Sequence, residues 1–146
     1  MALLARAPVA ALEAGLQSVA VPAYTWLRRP ETGLFMVRGR VGGTGNRFNL
    51  GEMTVTRCTL RLANGSSGVA YIHGRSHRHA ELAALADALL QSTDTRDSVR
   101  RSVLDPIARQ LEEGRQNMAR KAQSTRVEFF TVARESGGGQ DDEDDA

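Results

Sequence analysis

Residues 34–62 constrain the fold of this chain most, because two strand-like runs flank a loop that is rich in glycine and arginine. The first run, residues 34–41, combines strand-forming side chains with Arg38 and Arg40, and the second, residues 53–62, alternates Thr and Val with Arg, Cys and Leu. Four glycines lie between the runs, at positions 42, 43, 45 and 51. They allow positive φ and close backbone approach. The pattern predicts either a long hairpin or a loop that contacts another surface.

Further runs extend the predicted sheet. A turn at residues 63–68 precedes a short run at 69–73, so strands 34–41, 53–62 and 69–73 are predicted to form an antiparallel meander. Residues 21–28 are a candidate fourth strand, which a turn at residues 28–33 separates from the first run. Residues 125–134 are predicted to be a final strand, and two adjacent phenylalanines there indicate that helices or a partner cover both faces.

Three segments have the spacing of amphipathic helices: residues 3–19, 77–91 and 106–123. Pro8 is expected to start or kink the first, Ser76 to cap the second and Asp105 to cap the third, with Pro106 in its first turn. A polar break is predicted at residues 91–97. The predicted fold class is therefore α+β, a mainly antiparallel sheet of about four to five strands packed with N-terminal, central (77–91) and C-terminal (106–123) helices.

Charge is distributed unevenly along the 146 residues. The run DDEDD at 141–145 holds five of the 17 acids, which leaves 12 acids against 19 bases and a net charge of +7 for residues 1–140. Eighteen of the bases are arginine, whose planar fork suits phosphate and carboxylate partners. We expect one domain over residues 1–135 and a flexible acidic tail over 136–146. Nucleic-acid binding is disfavoured, because basic and aromatic residues are not interleaved and the tail is acidic.

The lone cysteine, Cys58, excludes an intrachain disulfide and favours a cytoplasmic location. The apolar opening is interrupted by charged residues and proline, so neither a signal peptide nor a membrane span is expected. The alternating run around Cys58 predicts a buried thiol rather than a nucleophile.

The glycine loop fits no standard phosphate-binding motif, since no lysine lies near it and no helix is expected to follow it. Four nearby arginines, Arg38, Arg40, Arg47 and Arg57, still permit a phosphate site, or they meet acids on another subunit. His79 is predicted to be packed and hydrogen-bonded. The three histidines lack the ligands that would complete a standard metal site, so no metal is expected, and no catalytic set can be assigned.

Four segments resemble the PhnG family, subunits of the bacterial carbon–phosphorus lyase machinery: GLFMVRGRVGGTGNRFNLGEMTVTRCTLRL, GVAYIHGRSHRHAEL, LDPIARQLE and STRVEFFTVAR. The resemblance covers about residues 3–135. The candidates for phosphate binding or a partner interface, taken from the loop and these motifs, are Arg38, Arg40, Gly42, Gly43, Arg47, Glu52, Arg57, Arg75, His79 and Glu81.

The resemblance implies a role in phosphonate catabolism. Members act with PhnI, PhnH and PhnL, as a multi-subunit transferase, to make α-D-ribose 1-methylphosphonate 5-triphosphate from MgATP and methylphosphonate, displacing adenine. It also implies a core complex with two copies each of PhnG, PhnH, PhnI and PhnJ, in which PhnI is the primary partner. MgATP is then a substrate of the complex, and no cofactor is expected on this chain.

Two hypotheses follow. In the first, the chain is a required but non-catalytic subunit whose loop and arginines bury against PhnI. In the second, Arg38, Arg57 and Arg75 clamp phosphate or phosphonate oxygens.

Overall fold

A computed structural model describes residues 1–126 of the chain. The predicted α+β class is confirmed, with three strands in the described sheet. In order, the elements are a 3-10 turn Leu4–Arg6, α1 Val9–Gln17, β1 Tyr24–Arg40, a 3-10 turn Val41–Gly43, β2 Arg47–Leu62, β3 Ser67–His73, α2 His77–Gln91, α3 Thr93–Val99, a π-helical segment Arg100–Leu104 and α4 Asp105–Ser124. All pairing is antiparallel in the order β1-β2-β3.

The two predicted strands 21–28 and 34–41 form one strand, β1, so the turn predicted at residues 28–33 was wrong. Pairing with β2 continues through this stretch, as in Glu31 opposite Arg57 and Gly33 opposite Val55. Irregular register between Trp26 and Glu31 accommodates Pro30, which an edge strand tolerates because its outer side needs no ladder partner. Tertiary pairing therefore overrides a local turn signal.

Helix α2 packs on one face of the sheet at very short range. Its predicted bounds, 77–91, are confirmed, and so is its cap, since the Ser76 hydroxyl accepts the His79 amide at 3.2 Å. Beneath it, Gly68 comes so close that an added Cβ would lie 1.9 Å from the Ala84 carbonyl oxygen. The buried apolar side chains of the sheet's packed face are Cys58, Leu60, Leu62, Ala70 and Ile72.

The remaining helices cover α2 from other sides, which is why α2 is buried around most of its circumference. Helix α1 begins directly after Pro8, which confirms the predicted start there, but the helix predicted over residues 3–19 is shorter than expected, because residues 4–6 form a separate 3-10 turn. Helix α1 crosses the π-helical segment at Gly15. From Thr93 to Ser124 the chain is helical without interruption. The predicted polar break was therefore wrong over residues 93–97, because buried Val99 and Val103 anchor this polar stretch.

Asp105 lies inside this continuous helical rod, with helical φ and ψ, and does not cap α4. At the other end, Thr125 donates its hydroxyl to the Lys121 and Ala122 carbonyls and closes the last helical turn. The predicted final strand therefore does not begin at Thr125. The rest of that strand, residues 127–134, and the tail 136–146 lie outside the described residues. Within residues 1–126, no helix is long and apolar enough to cross a membrane.

Candidate functional site

Strands β1 and β2 extend beyond β3 as a two-stranded arm, residues 34–54. The pairing of β3 ends at Val55 opposite His73, whereas β1 and β2 continue from Leu34 opposite Thr54 to Arg40 opposite Arg47. Seven residues of β1 at about 3.4 Å each make the arm about 24 Å long. The hairpin interpretation of the glycine-rich stretch is thus confirmed.

The tip of the arm needs glycine. Gly42 and Gly43 have φ of +57° and +80°, in the left-handed region that side chains with Cβ rarely adopt. The Gly45 amide donates to the Val41 carbonyl at 2.9 Å and closes the turn. The loop is therefore a compact turn that joins the two strands of the arm.

Three of the candidate arginines share one face of the arm. Arg38 and Arg40 are two residues apart on β1, and Arg47 is paired with Arg40 across the strands, so alternation places all three on the same side. Within residues 1–126, none of them forms an ion pair with an acidic side chain. Like charges directly opposite each other destabilise a strand pair. We call Arg38, Arg40 and Arg47 the arginine face; its charge favours an anionic partner.

The arginine face continues the side of the sheet that the helices cover. Thr32 has the same alternation as Arg38, and its hydroxyl lies 3.2 Å from Nε2 of His77 at the start of α2. The Thr56 hydroxyl, opposite Thr32, donates to the Gly74 carbonyl at 2.7 Å just before α2. Helix cover therefore ends at the base of the arm, and the arginines lie beyond it.

The opposite face carries Arg57 in a different setting. Glu31 accepts hydrogen bonds from Arg28 at 2.6 Å and from Arg57 at 2.7 Å, and these two guanidinium groups lower the pKa of Glu31. Arg57 also lies 6.0 Å from the centre of the Phe35 ring, which contacts Tyr71 edge to face. The sheet thus separates Arg57 from Arg38, and the structure does not bring them together around one ligand.

Apolar side chains are exposed along the whole arm. The exposed fractions are 63% for Leu34, 51% for Met36, 71% for Val41 and 66% for Leu50, the extra residue of a bulge opposite Val37 and Arg38. Phe35 and Phe48 are also exposed. A two-stranded ribbon is marginally stable in water by itself, and contiguous exposed apolar surface marks an interaction site. Sequence reasoning missed these residues, although the unbroken apolar run at 34–37 signals a ribbon that is apolar on both faces.

Two motif residues, His79 and Glu81, hold the fold together. His79 is buried and its Nε2 donates to the Leu4 carbonyl at 2.8 Å, which confirms its predicted packed state. Glu81 accepts from the Tyr24 hydroxyl at 2.7 Å and from Arg78 at 3.3 Å. The hydrogen bond to Glu81, with burial, raises the pKa of Tyr24. These contacts attach the 3-10 turn Leu4–Arg6 and strand β1 to helix α2.

The last two candidates are exposed. Glu52 lies in the arm opposite Met36, and Arg75 lies in the short connection between β3 and α2. In the part of the chain that the structure describes, neither forms an ion pair. The ten candidates thus occupy three places: the arm, the opposite sheet face and the start of α2.

Within residues 1–126, the groups that could take part in chemistry are dispersed or buried. Residues 1–126 contain no group of three or more His, Cys, Asp or Glu that could hold a metal ion. Cys58 is buried, donates its thiol to the Ala80 carbonyl at 3.1 Å, and has its pKa raised to about 11 by burial.

A cleft of about 460 Å³ between α1, α2 and β1 is bordered by Glu13 and Arg78, which pair at 2.9 Å; nothing in the sequence signalled that pair.

An exposed apolar hairpin with one arginine-rich face is typical of the class of proteins that bind a partner through a projecting element. The chain belongs to the PhnG family, since the family model described as "Phosphonate metabolism protein PhnG" matches residues 1–135. It is 42% identical over 135 residues to the alpha-D-ribose 1-methylphosphonate 5-triphosphate synthase subunit PhnG of Rhizobium meliloti (strain 1021), covering 92% of this chain and 86% of that relative. The resemblance noted in the sequence is thereby confirmed.

Proposed function

We propose that this chain is a subunit of a ribose 1-methylphosphonate 5-triphosphate synthase in phosphonate metabolism, and that its arm is the element that buries against a partner subunit. The name of the Rhizobium meliloti relative supports the subunit role. The observation that carries the role of the arm is its exposure of apolar residues beside three arginines that form no ion pair within residues 1–126.

In this proposal the complex acts in the cytoplasm as a transferase in which methylphosphonate displaces adenine from MgATP. PhnI is the primary partner, with PhnH, PhnJ and PhnL as further subunits, and the core holds two copies each of PhnG, PhnH, PhnI and PhnJ. The chain contributes assembly, and neither a cofactor nor a metal is assigned to it. Burial of Leu34, Met36 and Leu50 supplies the apolar part of the interface, since desolvated apolar anchors dominate binding energy.

A second candidate function rests on Arg40 and Arg47, which oppose each other across the arm. Arginines held side by side without an ion-pair partner among residues 1–126 suit a phosphate group, and guanidinium groups bind phosphate through paired hydrogen bonds. In this version the arm reaches the active site of the complex and contacts the triphosphate or phosphonate oxygens.

One experiment separates the two candidates. The chain is co-expressed with its cognate PhnI as the native sequence, as Arg40→Ala/Arg47→Ala, and as the control Arg101→Ala/Arg109→Ala, which removes two exposed arginines from the helical rod. Native mass spectrometry reports assembly, and release of adenine by the full complex reports turnover. We expect the arm variant to weaken assembly at least tenfold and the control to assemble normally.

Intact assembly with lost turnover would favour the second candidate. Unchanged assembly and unchanged turnover would contradict both. A further variant, Leu50→Ser, tests the apolar part of the arm and should weaken assembly without removing charge.

A further inference from the structure

Helix α4 projects from the body at the end where α2 begins. Its first turns are anchored by buried Ile107 and half-buried Leu111, whereas every residue from 112 to 124 is exposed. Leu111 and Glu112 line a small cavity with Leu3, next to the turn whose Leu4 carbonyl binds His79 at the start of α2. The 13 residues that follow Leu111 therefore continue about 20 Å past that point.

The arm projects from the same end of the molecule. Its base lies at the start of α2, where Thr32 approaches His77, and no helix of residues 1–126 covers the arm beyond Leu34. The arginine face is on the helical side of the sheet, which is also the side that α4 occupies. The last described residues of the chain, at the end of α4, therefore lie toward the end of the molecule where the arginine face is exposed.

The sequence that follows α4 carries the complementary charge. Residues 127–140 connect Arg126 to the acidic run 141–145, which has five acids and no base. Fifteen extended residues reach about 50 Å, roughly twice the length of the arm. Tethering at this range gives an effective concentration on the order of millimolar, so weak contacts suffice to keep the site occupied.

We propose that the acidic segment 141–145 binds the arginine face of the arm in the free chain and occupies it until a partner displaces it. Carboxylates match the guanidinium groups of Arg38, Arg40 and Arg47 in charge and geometry. Exposed ion pairs are individually weak and are screened by salt, so the contact is reversible and yields to a surface that also buries the apolar residues of the arm. This self-contact goes beyond the proposed function and is tested on the chain alone.

The test is a paramagnetic relaxation experiment on the full chain. A nitroxide is attached at Ala146→Cys, next to the acidic run, while buried Cys58 stays unlabelled. At about 20 mM salt we expect the amide signals of residues 38–47 to lose at least half their intensity, and those of α3, at the far end of α2, to be unaffected. At about 500 mM salt the signals should return, because screening removes the attraction.

Two variants make the result specific. Replacing Asp141, Asp142, Asp144 and Asp145 by Asn, together with Glu143→Gln, leaves residues 1–126 untouched and should abolish the effect. Arg38→Gln/Arg40→Gln/Arg47→Gln should do the same, whereas the matched control Arg100→Gln/Arg101→Gln/Arg109→Gln should retain it.

Undiminished arm signals at low salt, or a loss that persists in the neutral-tail variant, would overturn the proposal. So would a loss that appears only when spin-labelled chain is mixed with separate isotope-labelled chain, since the contact would then be between copies.

Discussion

Strands β1 and β2 form both ends of the sheet, but their side chains are buried at one end and exposed at the other. Between Val55 and Leu62, β2 lies between two strands and under α2, and alternate side chains are buried. Between Arg47 and Thr54, within residues 1–126, the same strand pairs only with β1 and has no helix over it, and large apolar residues are exposed. The difference teaches that the covered end holds the monomer together, whereas the arm carries apolar surface that residues 1–126 leave exposed.

The largest expected contrast between the two ends comes from adding a methyl group to one glycine near each of them. Gly68→Ala should lower the free energy of unfolding by about 3 kcal/mol or more, because the new Cβ meets backbone atoms of α2 that cannot yield. Gly33→Ala, at the base of the arm, has no atom within 4 Å of its Cβ and should change stability by less than about 0.5 kcal/mol. Urea denaturation monitored by circular dichroism measures both, and equal losses would erase the distinction.

Truncating a leucine in each end gives the next largest contrast. Leu60 is fully buried beneath α2, so Leu60→Ala should cost about 2–4 kcal/mol of unfolding free energy. Leu50 is 66% exposed, and Leu50→Ala should leave the free chain within about 0.5 kcal/mol of the native stability. If Leu50→Ala destabilised the free chain as much as Leu60→Ala, the arm would be part of the monomer's own core.

Thiol reactivity sharpens the same comparison without altering the fold. Burial raises the pKa of Cys58 from 9.0 to about 11, so at pH 8 its thiolate fraction falls about 100-fold before access is considered. In a Leu50→Cys variant the arm thiol should react with iodoacetamide at the rate of an exposed cysteine, at least about 100 times faster than Cys58. Mass spectrometry of the modified sites measures the ratio, and comparable rates would mean that the covered end opens readily.

The smallest expected effect concerns the ion pairs at the base of the arm. Arg28 and Arg57 lower the pKa of Glu31 below 4.5 in the folded chain. Its contribution to stability is therefore present above the unfolded pKa and is lost as pH falls through the folded value. The small stability difference between the native chain and Glu31→Gln should shrink from pH 6 to pH 3, as followed by thermal unfolding. A stability difference that grows as the pH is lowered would contradict a lowered pKa of Glu31 in the folded chain.

The covered end was predictable from sequence to a large extent. The helix 77–91, its Ser76 cap and the strand at 53–62 follow from local periodicity and capping, which tertiary contacts here reinforce. The sequence predicts Gly68 only as a turn residue, because its contact with Ala84 depends on a helix that follows later in the chain. The partner of His79, the Leu4 carbonyl, lies 75 positions away and left no pattern to detect.

The arm was harder to predict because its faces depend on register. Pro30 and Gly33 signal a turn, yet pairing with β2 carries the strand through them, and the irregular register near Arg28 resets the alternation. Only the pairing shows that Arg38, Arg40 and Arg47 share a face and that Arg57 lies on the other. The glycines at the tip, in contrast, indicate a turn from the local sequence alone.

The π-helical segment Arg100–Leu104 sets the rotational phase of the long helical rod. Val99, Val103 and Ile107 are buried although they recur every four residues, a period that drifts by about 40° per step in a regular helix. A turn closed by bonds to the fifth residue advances less per residue and absorbs much of that drift. One wide turn therefore keeps side chains that are four residues apart on the same buried side of the rod, although a regular helix has only about 3.6 residues per turn.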